Sequence, residues 1–136
     1  MLHYEITEDL ITGVEFIDDQ HRELFKRLNQ LLNAADRRSS IKEMQGFILF
    51  VRKYIEEHLS AEENLMRKHA YPEAEQHILE HGVFRTNYQL IIEAFNEEQI
   101  TVEQLIESLQ TEVGNWFVNH IKKTDQSTMR WLKDKV

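Results

Sequence analysis

Apolar side chains recur along this chain in four stretches at the three-and-four spacing of one helix face, parted by short polar breaks. The first stretch places Leu24, Phe25, Leu28, Leu31 and Leu32 on a face that also carries His21, and it ends around the polar run Asp36-Arg37-Arg38-Ser39. Ser40 followed by Glu43 is a capping-box start for a second helix, whose stripe is Met44, Phe47, Ile48, Val51, Ile55, His58, Glu62 and Leu65. Pro72 suits the entry to a third helix, with the stripe Ala74, His77, Ile78, His81, Phe84, Tyr88, Ile91 and Phe95. Thr101 with Gln104 caps a fourth, with Val102, Leu105, Leu109, Val113, Trp116, Phe117, His120 and Ile121 on its face. Residues 1–17 read as an irregular arm with a turn at Thr12-Gly13, residues 18–125 as the helices, and 126–136 as a C-terminal segment around Met129, Trp131 and Leu132.

Four helices of about 20 residues with short connections predict an all-α fold, an antiparallel up-down-up-down four-helix bundle with an N-terminal arm. At 136 residues, one domain is expected to take up the whole chain. The four apolar faces also carry seven residues that do not belong in a purely apolar core: His21, His58, Glu62, His77, His81, His120 and Asp125. They fall near the start of the first helix, the end of the second, the start of the third and the end of the fourth. In an up-down-up-down bundle those four places share one end.

The chain has no cysteine, which removes thiolate zinc sites, iron–sulfur clusters and disulfides and leaves histidine and carboxylate as the strong ligands. Its longest apolar run, Phe47 to Val51, is far short of a membrane span, and its start has no targeting pattern, so a cytoplasmic protein is expected. A net charge of −8 argues against nucleic acid or an anionic membrane as partner.

His77 and His81, and likewise His58 and Glu62, stand four apart and face one point from a single helix. The step of five from His120 to Asp125 turns an α-helix by about 500°, some 140° out of register. Asp125 reaches the same point only if the helix ends or widens before it, and the polar Lys122-Lys123-Thr124 with Gln126-Ser127 beyond suit an ending. Five imidazoles and two carboxylates exceed one tetrahedral zinc site. With both carboxylates bridging, they suit two six-coordinate ions that also need a solvent-derived bridge and keep one vacant position. The donor set suits iron, and ligand type alone leaves nickel, cobalt, manganese and zinc open. A lone histidine on an apolar face is ordinarily a satisfied core residue; seven such groups at one bundle end are not. His3 and His69 fall off the stripes and read as ordinary, and Glu57 and Glu63 are expected to point into solvent.

The segments DDQHRELF, HLSAEENLM, QHILEHGVF and NWFVNHIKKTD, in this order and spacing, resemble the hemerythrins, and among them the bacterial members, from about Thr12 to Asp125. The resemblance implies two iron ions with an oxo or hydroxo bridge that bind O2 reversibly, and small anions such as azide when ferric. It implies that His77, His81 and His120 complete one iron, that His21 and His58 complete the other, and that Glu62 and Asp125 bridge them. The open position then lies on the two-histidine iron, with Leu24, Trp116, Phe117 and Ile121 as walls of the O2 pocket. The chain departs from many bacterial members in offering Tyr4 where they carry a tryptophan.

Three functions fit such a centre. The first is O2 storage, transport or delivery, and the second is an O2 or redox sensor attached to a signalling partner such as a chemoreceptor. The third, a di-iron oxidase or ferroxidase, is disfavoured. Ferritin-like enzymes carry Glu-x-x-His on bundle helices, which occurs nowhere here, and two carboxylates offer little anionic charge to stabilise highly oxidised iron. A binding protein and not an enzyme is the reading.

Overall fold

The computed structural model describes residues 3–136. Three regular helices, α1 (Glu15–Asp36), α2 (Ile41–Lys68) and α3 (Ala74–Asn96), are followed by a fourth, α4, that runs through residues 102–132 in five consecutive segments. Three of these are α-helical, Val102–Ser108, Asn115–His120 and Gln126–Leu132. The two between them, Leu109–Gly114 and Ile121–Asp125, are π-helical.

Neighbouring helices alternate in direction. The end of α1 meets the start of α4 through Arg38 and Glu103, whose side chains lie 2.7 Å apart. The start of α2 meets the end of α3 through Gln45 and Asn96, 3.2 Å apart. This is the expected up-down-up-down bundle. Both predicted starts are capped, but only the second as a full box: Ser40 Oγ accepts from the Glu43 N–H without the return bond, whereas Thr101 and Gln104 satisfy each other reciprocally. α1 begins at Glu15, a turn earlier than its apolar stripe, because Asp18 folds back to accept from the Thr12 N–H and hydroxyl and the Gly13 N–H. Gly13, at φ 91°, supplies the left-handed backbone that this turn needs.

The arm is packed and not loose. Tyr4 is buried 5.7 Å from the Phe25 ring, and its main chain pairs both ways with the Asn29 side chain. Its hydroxyl donates to the Gln110 carbonyl, inside the first π-turn of α4. A Cβ at Gly114 would stand 2.1 Å from the Tyr4 ring, so the ring occupies space that only glycine leaves free. The arm therefore docks on the widened part of α4.

Two apolar clusters stack along the bundle. The larger runs through Leu24, Leu28, Leu32, Ile48, Val51, Phe84, Leu105 and Phe117. The smaller, Val14, Ile17, Met66, Tyr71, Met129 and Leu132, closes the opposite end. The seven histidines and acids lie between the two. Among the described residues, no helix is long and apolar enough to cross a membrane.

Candidate metal centre

Each helix delivers its polar residues to this level for a local reason. His21 follows Ile17 and precedes Leu24 and Phe25 on the buried face of α1. His58 and Glu62 are one turn apart on α2, and His77 and His81 one turn apart on α3. On α4 the helix widens and does not stop: the π-turn Ile121–Asp125 takes up one extra residue and brings Asp125 under His120. Their Nε2 and Oδ1 atoms are then 3.2 Å apart. Of the two ways for Asp125 to reach the others, this chain uses widening, and the helix continues to Leu132.

All seven side chains are at most 5% exposed. Their donor atoms fall into two sets. One comprises Glu62, His77, His81, His120 and Asp125, and the other His21, His58, Glu62 and Asp125. The carboxylates belong to both. Glu62 turns Oε1 toward His77 (3.4 Å) and His81 (3.3 Å) and Oε2 toward His58 (3.3 Å) and His21 (3.6 Å). Asp125 turns Oδ1 toward His77 (3.1 Å) and His120 (3.2 Å) and Oδ2 toward His21 (3.2 Å).

These separations do not amount to hydrogen bonding. Both ring nitrogens of His21, Nε2 of His58 and all four carboxylate oxygens are buried without a hydrogen-bond partner. The Nε2 atoms of His77 and His81 lie 3.1 and 3.2 Å from that of His120, nitrogen facing nitrogen. Lone pairs that converge on common points, with edges near 3.1 Å, suit neighbouring positions around a cation at bonds of about 2.1 Å. Unpartnered buried polar groups cost about 1–3 kcal/mol each, and cations remove that cost. The residues therefore fit two metal ions, one with five protein donors and one with four.

Without cations, protons do part of that work. Burial pulls His21 and His77 down, but the carboxylates of Asp125 and Glu62 facing them carry both up to about 9. Burial prevails at His58, which is lowered. Burial also opposes ionisation of Glu62 and Asp125. His58 foremost holds Glu62 well below the usual carboxylate range, and His120 foremost does so for Asp125, against the repulsion of Glu62.

Three rings are oriented from behind by residues that no apolar stripe revealed. His58 Nδ1 lies 2.8 Å from Gln20 Oε1, His77 Nδ1 2.7 Å from Thr128 Oγ1, and His81 Nδ1 2.8 Å from Glu63 Oε2. Each contact directs Nε2 inward. Glu63 corrects the expectation of a solvated side chain: it is 7% exposed and also bound by Arg85. No signal within α2 marked it, because the partners that bury it, His81 and Arg85, both come from α3. Glu57 is exposed as expected.

The four expected pocket residues divide. Leu24, Phe117 and Ile121 are fully buried, and the Phe117 ring lies 6.4 Å from His58. Trp116 instead stacks on His120, 4.4 Å away and 12° from parallel, beside a cleft of about 290 Å³ lined also by Glu80, Val83, Asn119 and Lys123. It is part of the outer wall of the three-histidine half.

Comparison with known proteins agrees with this geometry. Residues 12–132 match the family model described as the hemerythrin HHE cation binding domain. The chain is 31% identical to a bacteriohemerythrin of Stenotrophomonas maltophilia over 125 residues, covering 88% of this chain and 75% of that protein. It is 25% identical to a bacteriohemerythrin of Aquifex aeolicus, covering 90% and 92%, and 25% identical to a myohemerythrin of Theromyzon tessulatum, covering 90% and 88%. A solved crystal structure of a leucine-to-phenylalanine mutant shares the fold with a TM-score of 0.82 and 25% identity, covering 96% of this chain and 97% of that one. With a family match over nearly its whole length and seven side chains able to hold metal gathered where the bundle buries them, the chain belongs to the hemerythrin family.

Proposed function

We propose that this protein binds O2 reversibly at two iron ions held by His21, His58, Glu62, His77, His81, His120 and Asp125, as a store or carrier and not as an enzyme. Reversible O2 binding at a di-iron centre is the function of the hemerythrin family. The observation that carries the reading is the pair of buried carboxylates, each turning one oxygen to each group of histidines. His77, His81 and His120 would complete one iron, and His21 and His58 the other. A pair of ferrous ions held there would supply reversible electron transfer to O2.

The chain's own residues set the conditions for that return. Glu62 and Asp125 hold the two groups at a fixed separation. The two-histidine half has one donor fewer and so has room for a small ligand. Leu24, Phe117 and Ile121, all fully buried, are its walls in this reading and exclude water and with it a ready supply of protons. A dry apolar wall disfavours charge separation, so O2 leaves neutral. Azide is expected to enter the same space when the irons are ferric.

The test is metal analysis together with the visible spectrum of the reduced protein before air, in air, and after purging. About two irons per chain, with a spectral change that purging reverses, is the expected result. One zinc per chain, or a change that purging does not reverse, would overturn the reading.

A further inference from the structure

Behind the histidines the two halves of the centre are not treated alike. His58 is backed by a neutral amide oxygen from Gln20 and His77 by a neutral hydroxyl from Thr128. Among the described residues, His81 alone of the five is backed by a carboxylate, Glu63 Oε2 at 2.8 Å. Arg85 also contacts both oxygens of that carboxylate and partly screens its charge, Nη1 at 2.8 Å from Oε2 and Nη2 at 3.2 Å from Oε1. Arg85 is in turn anchored by Glu56, at 3.0 and 3.2 Å from its Nε. An ionised Glu63 only accepts hydrogen bonds. His81 must therefore carry its proton on Nδ1, which leaves the Nε2 lone pair facing Glu62 and His120.

We infer that Glu63 is a positioning residue for the metal centre, fixing the tautomer of His81 and placing negative charge behind the three-histidine group alone. The inference rests on the two-iron reading above. A charged acceptor makes a shorter and stronger hydrogen bond than a neutral one and makes the imidazole behind it a better donor. The three-histidine ion is then the one that better bears a higher charge, while the two-histidine ion, backed by Gln20, stays the more readily ferrous. Arg85 sets how much of the Glu63 charge is felt. The centre is thus polarised by residues that touch no metal.

The experiment compares the iron-loaded parent with Glu63→Gln and Arg85→Gln. It measures iron content, reduction potential, iron release to a chelator, and the paramagnetically shifted N–H signal of His81. Glu63→Gln keeps an acceptor of the same shape and removes the charge. It should raise the potential, move the His81 signal and release iron about 10–100-fold faster. Arg85→Gln leaves the carboxylate unscreened and should lower the potential. Opposite signs are the result that loosened packing would not give, since looseness would move both variants the same way. Two irons in all three proteins with equal potentials would overturn the inference and leave the two-iron reading standing. A parent without paired iron overturns that reading and this inference with it. If Glu63→Gln does not fold, Arg85→Gln decides alone, by whether its potential falls.

Discussion

Around Leu28, Leu32, Ile48, Val51 and Leu105 the bundle fills its interior with aliphatic side chains that need nothing further. Two turns away, the same helices bury five imidazoles and two carboxylates, many of whose atoms have no hydrogen-bond partner. The far end is stabilised by burial that the chain accomplishes alone. The histidine end is a cost to folding until cations or protons occupy it, and a small apolar cluster around Ile17, Met66 and Met129 closes over it. Fold and site therefore draw on different sources of stability within one set of helices.

The widest break between the two ends should come from removing the metal. Ions that bind only the folded state stabilise it by mass action, about 4 kcal/mol at a thousandfold excess over Kd. Apoprotein is expected to melt at a clearly lower temperature while keeping near-native helix content in the cold, as circular dichroism would show. Coincident melting curves would mean that these seven residues share no buried site. His77→Ala, which removes one of three imidazoles from one half, should release iron and shift the holo curve toward the apo one.

Leu24 and Leu28, one turn apart on α1 and both fully buried, test the boundary between the ends. Replacing either with alanine should cost about 2–5 kcal/mol. Leu24→Ala alone should hasten loss of the O2-bound form and quicken azide entry, with both irons retained. Equal autoxidation in the two variants and the parent would make Leu24 packing only.

Smaller effects follow with pH in the apoprotein. His21 and His77 are raised to about 9, so their contribution is complete below the ordinary histidine value of 6.5 and fades as pH climbs through 9. His58, lowered by burial, works weakly the other way. The apo melting temperature should fall between pH 6.5 and 9, whereas the iron-loaded form, its imidazoles neutral and ligated, should show no such fall. A flat apo profile would break the comparison.

The smallest test concerns backbone alone. Ala70 at the histidine end and Glu98 at the far end both take left-handed backbone after a helix, at φ 52° and 58°. Glycine at either place should raise stability by up to about 1 kcal/mol, since it adopts this region without penalty. Similar gains at both ends would show that the difference lies in side-chain chemistry and not in how the helices finish.

What the sequence by itself determined was periodicity and chemistry. The helix faces, both capped starts, the alternating directions and the seven polar residues at one end were all legible, because each depends on spacing within one helix or on the shortness of the connections between helices. Tertiary structure decided what depends on contacts between helices. Glu63 lies outside the apolar stripe of α2, and only α3, bringing His81 and Arg85 to it, makes it a buried anchor. Tyr4 finds its place through Asn29 and the gap at Gly114, neither of which its own neighbours in the chain disclose. The path of α4 stands between the two. Leu105, Leu109, Val113, Phe117, Ile121, Asp125 and Met129 are all buried, a strict repeat of four. Over six such steps a regular α-helix drifts by about 240°, which no straight core could accept. The two π-turns absorb one residue, about 100°, each and bring the face back into line. The repeat of four was written in the sequence, but where the helix widens to honour it was settled by Tyr4 at one turn and by Asp125 meeting the histidines at the other.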